Sequence, residues 1–197
     1  GASATSVGDA DVMIVAARKD RVGDMQALMS EAGMHLKVLD VASYAAQSAA
    51  ERIIENLPNA GKDAIIALVH VGASSIYVYV MRNGEVLFER EQAFGGVQLT
   101  QHIARLYGMT QEEAESKKIA GQLPDDYAHV VLQPFIERVA QEIQNILQFF
   151  YNSTPHGKTD YVLLSGGSAS LPKLSDAVIQ ATGAACLLAN PFDGMEI

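Results

Sequence analysis

Ala67-Leu-Val-His70-Val-Gly72-Ala-Ser-Ser75-Ile-Tyr-Val-Tyr-Val-Met81 is the stretch whose reading decides the fold. An apolar, β-branched run meets a turn of Gly, Ala and two Ser, and a second alternating run follows from Ile76 to Met81. The next turn carries Asn83-Gly84, the strongest short-range hairpin signal, and residues 86–90 make a third strand. The pattern predicts a β-meander whose first turn is small and rich in hydroxyls. Such a turn lets backbone N–H groups and Ser hydroxyls come close to a phosphate, because no bulky side chain intervenes. Taken alone, Gly-Ala-Ser-Ser reads equally as a plain hairpin turn.

Upstream, residues 11–17 have the composition of a buried strand. Residues 18–32 place Val22, Met25, Leu28 and Met29 at helical spacing, with Gly33 as the stop. Residues 35–39 read as a second strand, and Asp40 opens a helix over 41–57 that Pro58-Asn-Ala-Gly61 ends. This β-α-β-α order running into the meander indicates an α/β layer.

Downstream, Gly95-Gly96 precedes a helix over residues 97–107. There the pair serves either an anion held at the helix N-terminus or a sharp turn of the chain. Thr110 and Glu113 have capping-box spacing for a helix that contains Glu115 and Lys118. A long helix is expected over residues 127–151, with Val131, Phe135, Val139, Ile143, Ile146, Leu147 and Phe150 on one apolar stripe. Residues 161–164 then form a buried strand that runs into Ser165-Gly166-Gly167-Ser168-Ala169. A helix over 171–182 and a strand over 184–188 follow. Strand, Ser-Gly-Gly, helix has the order of a dinucleotide fingerprint, but neither GxGxxG nor the P-loop pattern is present.

The 197 residues, 49% hydrophobic and 19% charged, suit a folded chain of one domain or two small ones. A net charge of −9 opposes a nucleic-acid partner, which needs a basic face. No run approaches the ~18 apolar residues of a membrane span, and no signal peptide is visible. Residues 1–10 read as a loop or expression scar. The single cysteine, Cys186, lies in an apolar run and suits a buried structural thiol in a reducing compartment. The five His fall in no metal-ligand frame, and no Ser-His-Asp or Cys-His set emerges. No catalytic residue and no metal ligand is therefore assigned.

Several pieces, collinear from residue 11 to the end, together carry a family resemblance. They are Val15-Ala-Ala-Arg-Lys19, Val38-Leu-Asp-Val-Ala-Ser-Tyr44, Val71-Gly-Ala-Ser-Ser75 and Arg90-Glu-Gln-Ala-Phe-Gly-Gly-Val-Gln-Leu-Thr100. Leu123-Pro-Asp-Asp-Tyr127, Leu147-Gln-Phe-Phe150, Leu163-Leu-Ser-Gly-Gly-Ser-Ala169 and Ala189-Asn-Pro-Phe192 complete the set. In this order the chain resembles the PilM-type proteins of type IV pilus assembly, FtsA-like members of the actin-like ATPase superfamily. The resemblance implies an α/β, actin-like (ribonuclease H-like) lobe with a β-meander, a mixed sheet and flanking helices. It divides the chain into the end of a first lobe, residues 11–62, and a second, nucleotide-binding lobe, residues 63–197. The family's first phosphate loop has no match here, so the chain is expected to be part of a longer protein.

Site roles follow from the same resemblance. Gly72, Ala73, Ser74 and Ser75 correspond to the second phosphate loop, Glu115 and Lys118 flank the ribose and base, and Gly166, Gly167 and Ser168 form the adenosine loop. At the phosphate turn this chain has His70 where the family usually has Asp, which helps place the metal and the attacking water. Imidazole offers Mg²⁺ no hard oxygen, and hydrolysis is put in question. ATP with Mg²⁺ is the implied cofactor of the full-length protein, with weak or undetectable affinity expected of this chain alone. The implied function is a cytoplasmic nucleotide-binding scaffold of the pilus inner-membrane platform. Its implied partner is the cytoplasmic tail of a PilN-like membrane protein, through which alone it meets the membrane. The alternatives are a nucleotide-free interaction module of a secretion platform and an active ATPase of the superfamily.

Overall fold

The computed structural model describes residues 14–190 and 192. Chain contacts divide it at Tyr44 into two units. The first contains α1 (Lys19–Glu31), which ends at Ala32, with Gly33 in the left-handed region at φ 72°. No residue of α1 is buried. The two strands expected in this region are not formed among the described residues. Residues 14–17 and 35–39 make no ladder, and Ile14 and Val38 stand 85% and 75% exposed. A strand is completed only by a neighbour, and none pairs with these stretches. Residues 11–13 of the first expected strand lie outside the described residues.

The second unit is built on a five-stranded mixed sheet in the order β3-β2-β1-β4-β5. Its strands are β1 (Ile66–Val71), β2 (Ile76–Arg82), β3 (Glu85–Gln92), β4 (Tyr161–Ser165) and β5 (Ala185–Leu188). β1 and β2 pair antiparallel, as do β2 and β3; β4 lies parallel to β1 and β5 parallel to β4. The expected meander is therefore present, and the long connection through the helices brings β4 back beside β1. Asn83 and Gly84 both take positive φ, 50° and 78°, as a two-residue type I′ turn requires. The step from Val80–Phe88 to Met81–Val86 leaves Leu87 unpaired as a bulge.

β1 and β4 are apolar on both faces, so the sheet is covered on both sides. On the front, Val69, Val71, Ile76, Val78, Val80, Val162 and Leu164 pack with α3 (Gly96–Tyr107), α5 (Gln133–Ser153) and α6 (Leu174–Thr182). The predicted stripe from Val131 to Phe150 is buried throughout. On the back, Ala50 of α2 (Ala42–Glu55) and Leu57 just beyond it pack against Ile66, Leu68, Met81 and Leu163. The side chain of Gln47 donates to the Gly84 carbonyl at 2.7 Å and ties α2 to the hairpin.

Two helix starts differ from the sequence reading. A π-turn at Ala128–Leu132 precedes α5, where Pro134 has no N–H for the regular ladder and its ring would crowd the carbonyl four residues back. α6 begins at Leu174, because Lys173 adopts a left-handed φ of 65° that no helix continues through.

Candidate functional site

Three turns converge at the N-terminus of α3. The first joins β1 to β2, and within it the Gly72 N–H donates to the Ser75 carbonyl at 3.0 Å. The second is Gly95-Gly96. The Gly96 and Val97 N–H groups donate to the carbonyls of Gly72 (3.0 Å) and Ala73 (2.8 Å), and the Gly95 N–H donates to Gln98 Oε1 (2.8 Å). The third follows β4: the Ser168 N–H reaches the Val71 carbonyl at 3.2 Å, and the Ala169 N–H closes on Gly166 at 3.0 Å.

Glycine is required at two of these crossings. A Cβ on Gly95 would sit 2.5 Å from the Gly72 carbonyl oxygen, and one on Gly166 would sit 2.5 Å from that of Val71. Gly166 also holds a φ of 94°. Of the two readings of Gly95-Gly96, the geometry supports close packing. The leading amide groups of α3 are committed to the Gly72 and Ala73 carbonyls and to Gln98, not left open for an anion.

What remains open to solvent is specific. Ala73 and Ser74 form the exposed tip of the first turn, and Ser74 has no hydrogen-bond partner among the described residues. Gly167 is exposed, with nothing within 4 Å of a would-be Cβ, so its backbone presents a flat surface. The Ser75 hydroxyl donates to Glu91 Oε1 at 2.7 Å. Hydrogen bonds from Ser75 and Tyr77 hold the Glu91 carboxyl below the usual range, and the Glu91 bond pushes the Tyr77 hydroxyl up.

Glu115 and Lys118 sit on α4 (Gln111–Ala120), which the Thr110–Glu113 capping box starts as predicted. They are joined to the turns through α3. Lys118 Nζ donates to Glu115 Oε2 (2.6 Å) and to Thr100 Oγ1 (3.0 Å). The Thr100 hydroxyl also contacts Glu115 Oε2 and lies 3.2 Å from the Gly96 carbonyl. The Lys118 ammonium first, and then Thr100, holds the Glu115 carboxyl below its ordinary range. Contacts thus link the sequence-predicted residues from Gly72 through Gly96 to Ser168 on one side and to Glu115 and Lys118 on the other. Sequence reading gave no role to Thr100, Glu91 or Ser165, although all three lie within the pieces that carry the family resemblance.

His70 stands at the seam. Its Nδ1 is 3.2 Å from Ser165 Oγ, and its ring lies between Gly72 and Gly166. Among the described residues no group of three or more His, Cys, Asp or Glu side chains is placed to hold a metal ion. A hollow of about 470 Å³ lies elsewhere, between α3 and α5, lined by Phe94, His102, Arg105, Phe135 and Arg138 among others.

Strand order, the two-sided sheet and three glycine-bearing turns at the strand ends define a lobe of an actin-like ATPase fold. Solved structures bear this out. The chain superposes on a structure described as the PilM-PilN type IV pilus biogenesis complex with a TM-score of 0.72 and 24% identity, covering 90% of this chain and 49% of that one. It superposes on ethanolamine utilization protein EutJ of Carboxydothermus hydrogenoformans with a TM-score of 0.59 at 20% identity, covering 84% and 56%. For MreB5 of Spiroplasma citri bound to AMPPNP the TM-score is 0.58 at 12% identity, covering 88% and 60%. The chain therefore spans 49–60% of the length of these structures. The family of type IV pilus assembly protein PilM matches residues 1–197, and the chain belongs to it.

Proposed function

We propose that this chain supplies the nucleotide-binding lobe of a cytoplasmic, actin-like scaffold in the type IV pilus assembly platform. The whole protein would hold the cytoplasmic tail of a PilN-like inner-membrane partner and stay peripheral to the membrane through it. The observation that carries the reading is the convergence of the Gly72–Ser75 and Gly166–Ser168 turns on the start of α3, at crossings where a Cβ would meet a carbonyl at 2.5 Å. In this reading residues 11–62 close the first lobe and residues 63–197 form the second.

The residues fit a nucleotide in specific ways. The free N–H and hydroxyl of Ser74 suit phosphate oxygens, and the bare backbone of Gly167 suits a purine face. The Glu115 carboxylate, oriented by Lys118 and Thr100, suits ribose hydroxyls. The bound nucleotide would supply a charged polyphosphate that ties the two lobes together. Among the described residues no group of three or more His, Cys, Asp or Glu side chains is placed at these turns to hold a metal ion.

A second reading is a nucleotide-free interaction module. It is favoured by Glu91, whose ionised carboxylate holds the Ser75 hydroxyl beside the phosphate turn. Calorimetric titration of ATP with Mg²⁺ into the full-length protein and its Lys118→Ala variant decides between them. The scaffold reading expects binding by the parent and a loss of about tenfold in the variant, the scale of one charge-assisted hydrogen bond. No heat of binding by the parent leaves the nucleotide-free module.

A further inference from the structure

His70 holds its ring beside both the Gly72 turn and the Ser165-Gly166 turn. It precedes the last residue of β1 and projects from the same face as Ile66 and Leu68, beyond the point where they are covered. It is exposed, unlike the rest of its strand. The ring Nε2 lies 3.5 Å from the position a Cβ on Gly72 would take, and Cε1 lies 3.1 Å from that position on Gly166. The Ser165 hydroxyl donates to the Val69 carbonyl at 3.5 Å and lies 3.2 Å from His70 Nδ1. The contact at Nδ1 holds the ring with Nε2 as the edge toward the Gly72 turn.

The donor set around this point is wrong for magnesium. Mg²⁺ takes hard oxygen ligands and is held in nucleotide sites by a carboxylate or two together with phosphates. Here the carboxylate at the turn is Glu91, already accepting from Ser75 and Tyr77, and the group between the two turns is an imidazole. An imidazole N–H beside a polyphosphate donates a charge-assisted hydrogen bond to a phosphate oxygen with no metal between them. We propose that His70 is a phosphate-binding residue of this site and that the site takes its nucleotide without a bridging divalent cation. The inference rests on the nucleotide-binding reading above and adds the ionic form of the ligand.

The test is ATP titration into the full-length protein with Mg²⁺ and again with EDTA, on the parent, His70→Asp and His70→Gln. The side chain is exposed, and thermal unfolding of each variant verifies the fold. The parent's affinity is expected to change by less than about threefold on chelation. His70→Gln, which keeps an N–H donor, stays within the same range. His70→Asp loses about tenfold or more in EDTA, the scale of a lost hydrogen bond to a charged group, and regains it with Mg²⁺. Loss of parent binding by tenfold on chelation overturns the proposal, as does unchanged binding of His70→Asp in EDTA. Absence of ATP binding by the parent in both media sinks the nucleotide reading itself, an outcome distinct from metal dependence.

Discussion

Among the described glycines, Gly95 and Gly166 are the two where an added Cβ would come closest to backbone, at 2.5 Å, and the reasons differ. Gly95 has an extended φ of −172° that any residue adopts, so the cost of Gly95→Ala is the collision with the Gly72 and Ala73 carbonyls alone. Gly166→Ala adds a left-handed backbone to a collision of the same size. Each substitution is expected to destabilise by about 1–3 kcal/mol in urea unfolding, with Gly166→Ala the larger. Gly167→Ala, which meets nothing, stays within about 0.5 kcal/mol of the parent and reports on ligand binding alone. Cys186 gives an independent reading of burial. Desolvation pushes its thiol up to about 11, so alkylation by iodoacetamide at pH 8 should run roughly a hundredfold slower in the native chain than after denaturation. These glycines were visible in the sequence because turns and close crossings demand that residue type. Thr100 and Glu91 were not, because a threonine or a glutamate acquires a role only from what folding sets beside it.

At the scale of elements, α3 and α4 are held together by one polar cluster. Thr100 on α3 meets Glu115 and Lys118 on α4, and the Thr100 hydroxyl also reaches back to the carbonyl of Gly96 at the site. Thr100→Val is expected to cost about 1 kcal/mol and to loosen the turn–helix junction. The acid limb of stability follows from Glu115. Its carboxyl titrates below its ordinary 4.5 in the folded chain, so its contribution is complete above that value. The contribution disappears as pH falls through the lower folded value. With 46% of the side chain open to solvent the effect is at most about 1 kcal/mol. Glu115→Gln should lower the melting temperature at neutral pH by the small contribution it removes, flatten the fall below pH 4.5, and converge on the parent at low pH. The same scale shows which elements a sequence can reveal. The Asn83-Gly84 turn and the Thr110–Glu113 cap formed where expected because their determinants lie within four residues. Residues 35–39 have strand composition and form no strand, since the determinant is a neighbour that composition does not contain.

Across the whole molecule, burial is uneven between the two units. In the second, Phe150 is fully buried on the front of the sheet, touching Phe88 and Tyr151, and Phe150→Ala should cost about 3–5 kcal/mol. In the first, α1 is 13 residues long, buries none of them, and starts at Arg18 without a side-chain cap. A helix of that length without packing is marginal in water, because nucleation is costly and tertiary contact supplies most helical stability. Native-state hydrogen exchange on the 197-residue chain should therefore separate the two. The amides of Lys19–Glu31 should exchange first, with little protection, while those of β1 and β4, whose strands pair on both sides and are covered on both faces, exchange last and only through global unfolding. Titrating urea lowers the free energy of the second class and scarcely affects the first. Equal protection of both would mean that α1 gains its order from contacts other than burial of its own side chains, and that the division at Tyr44 is not a division in stability.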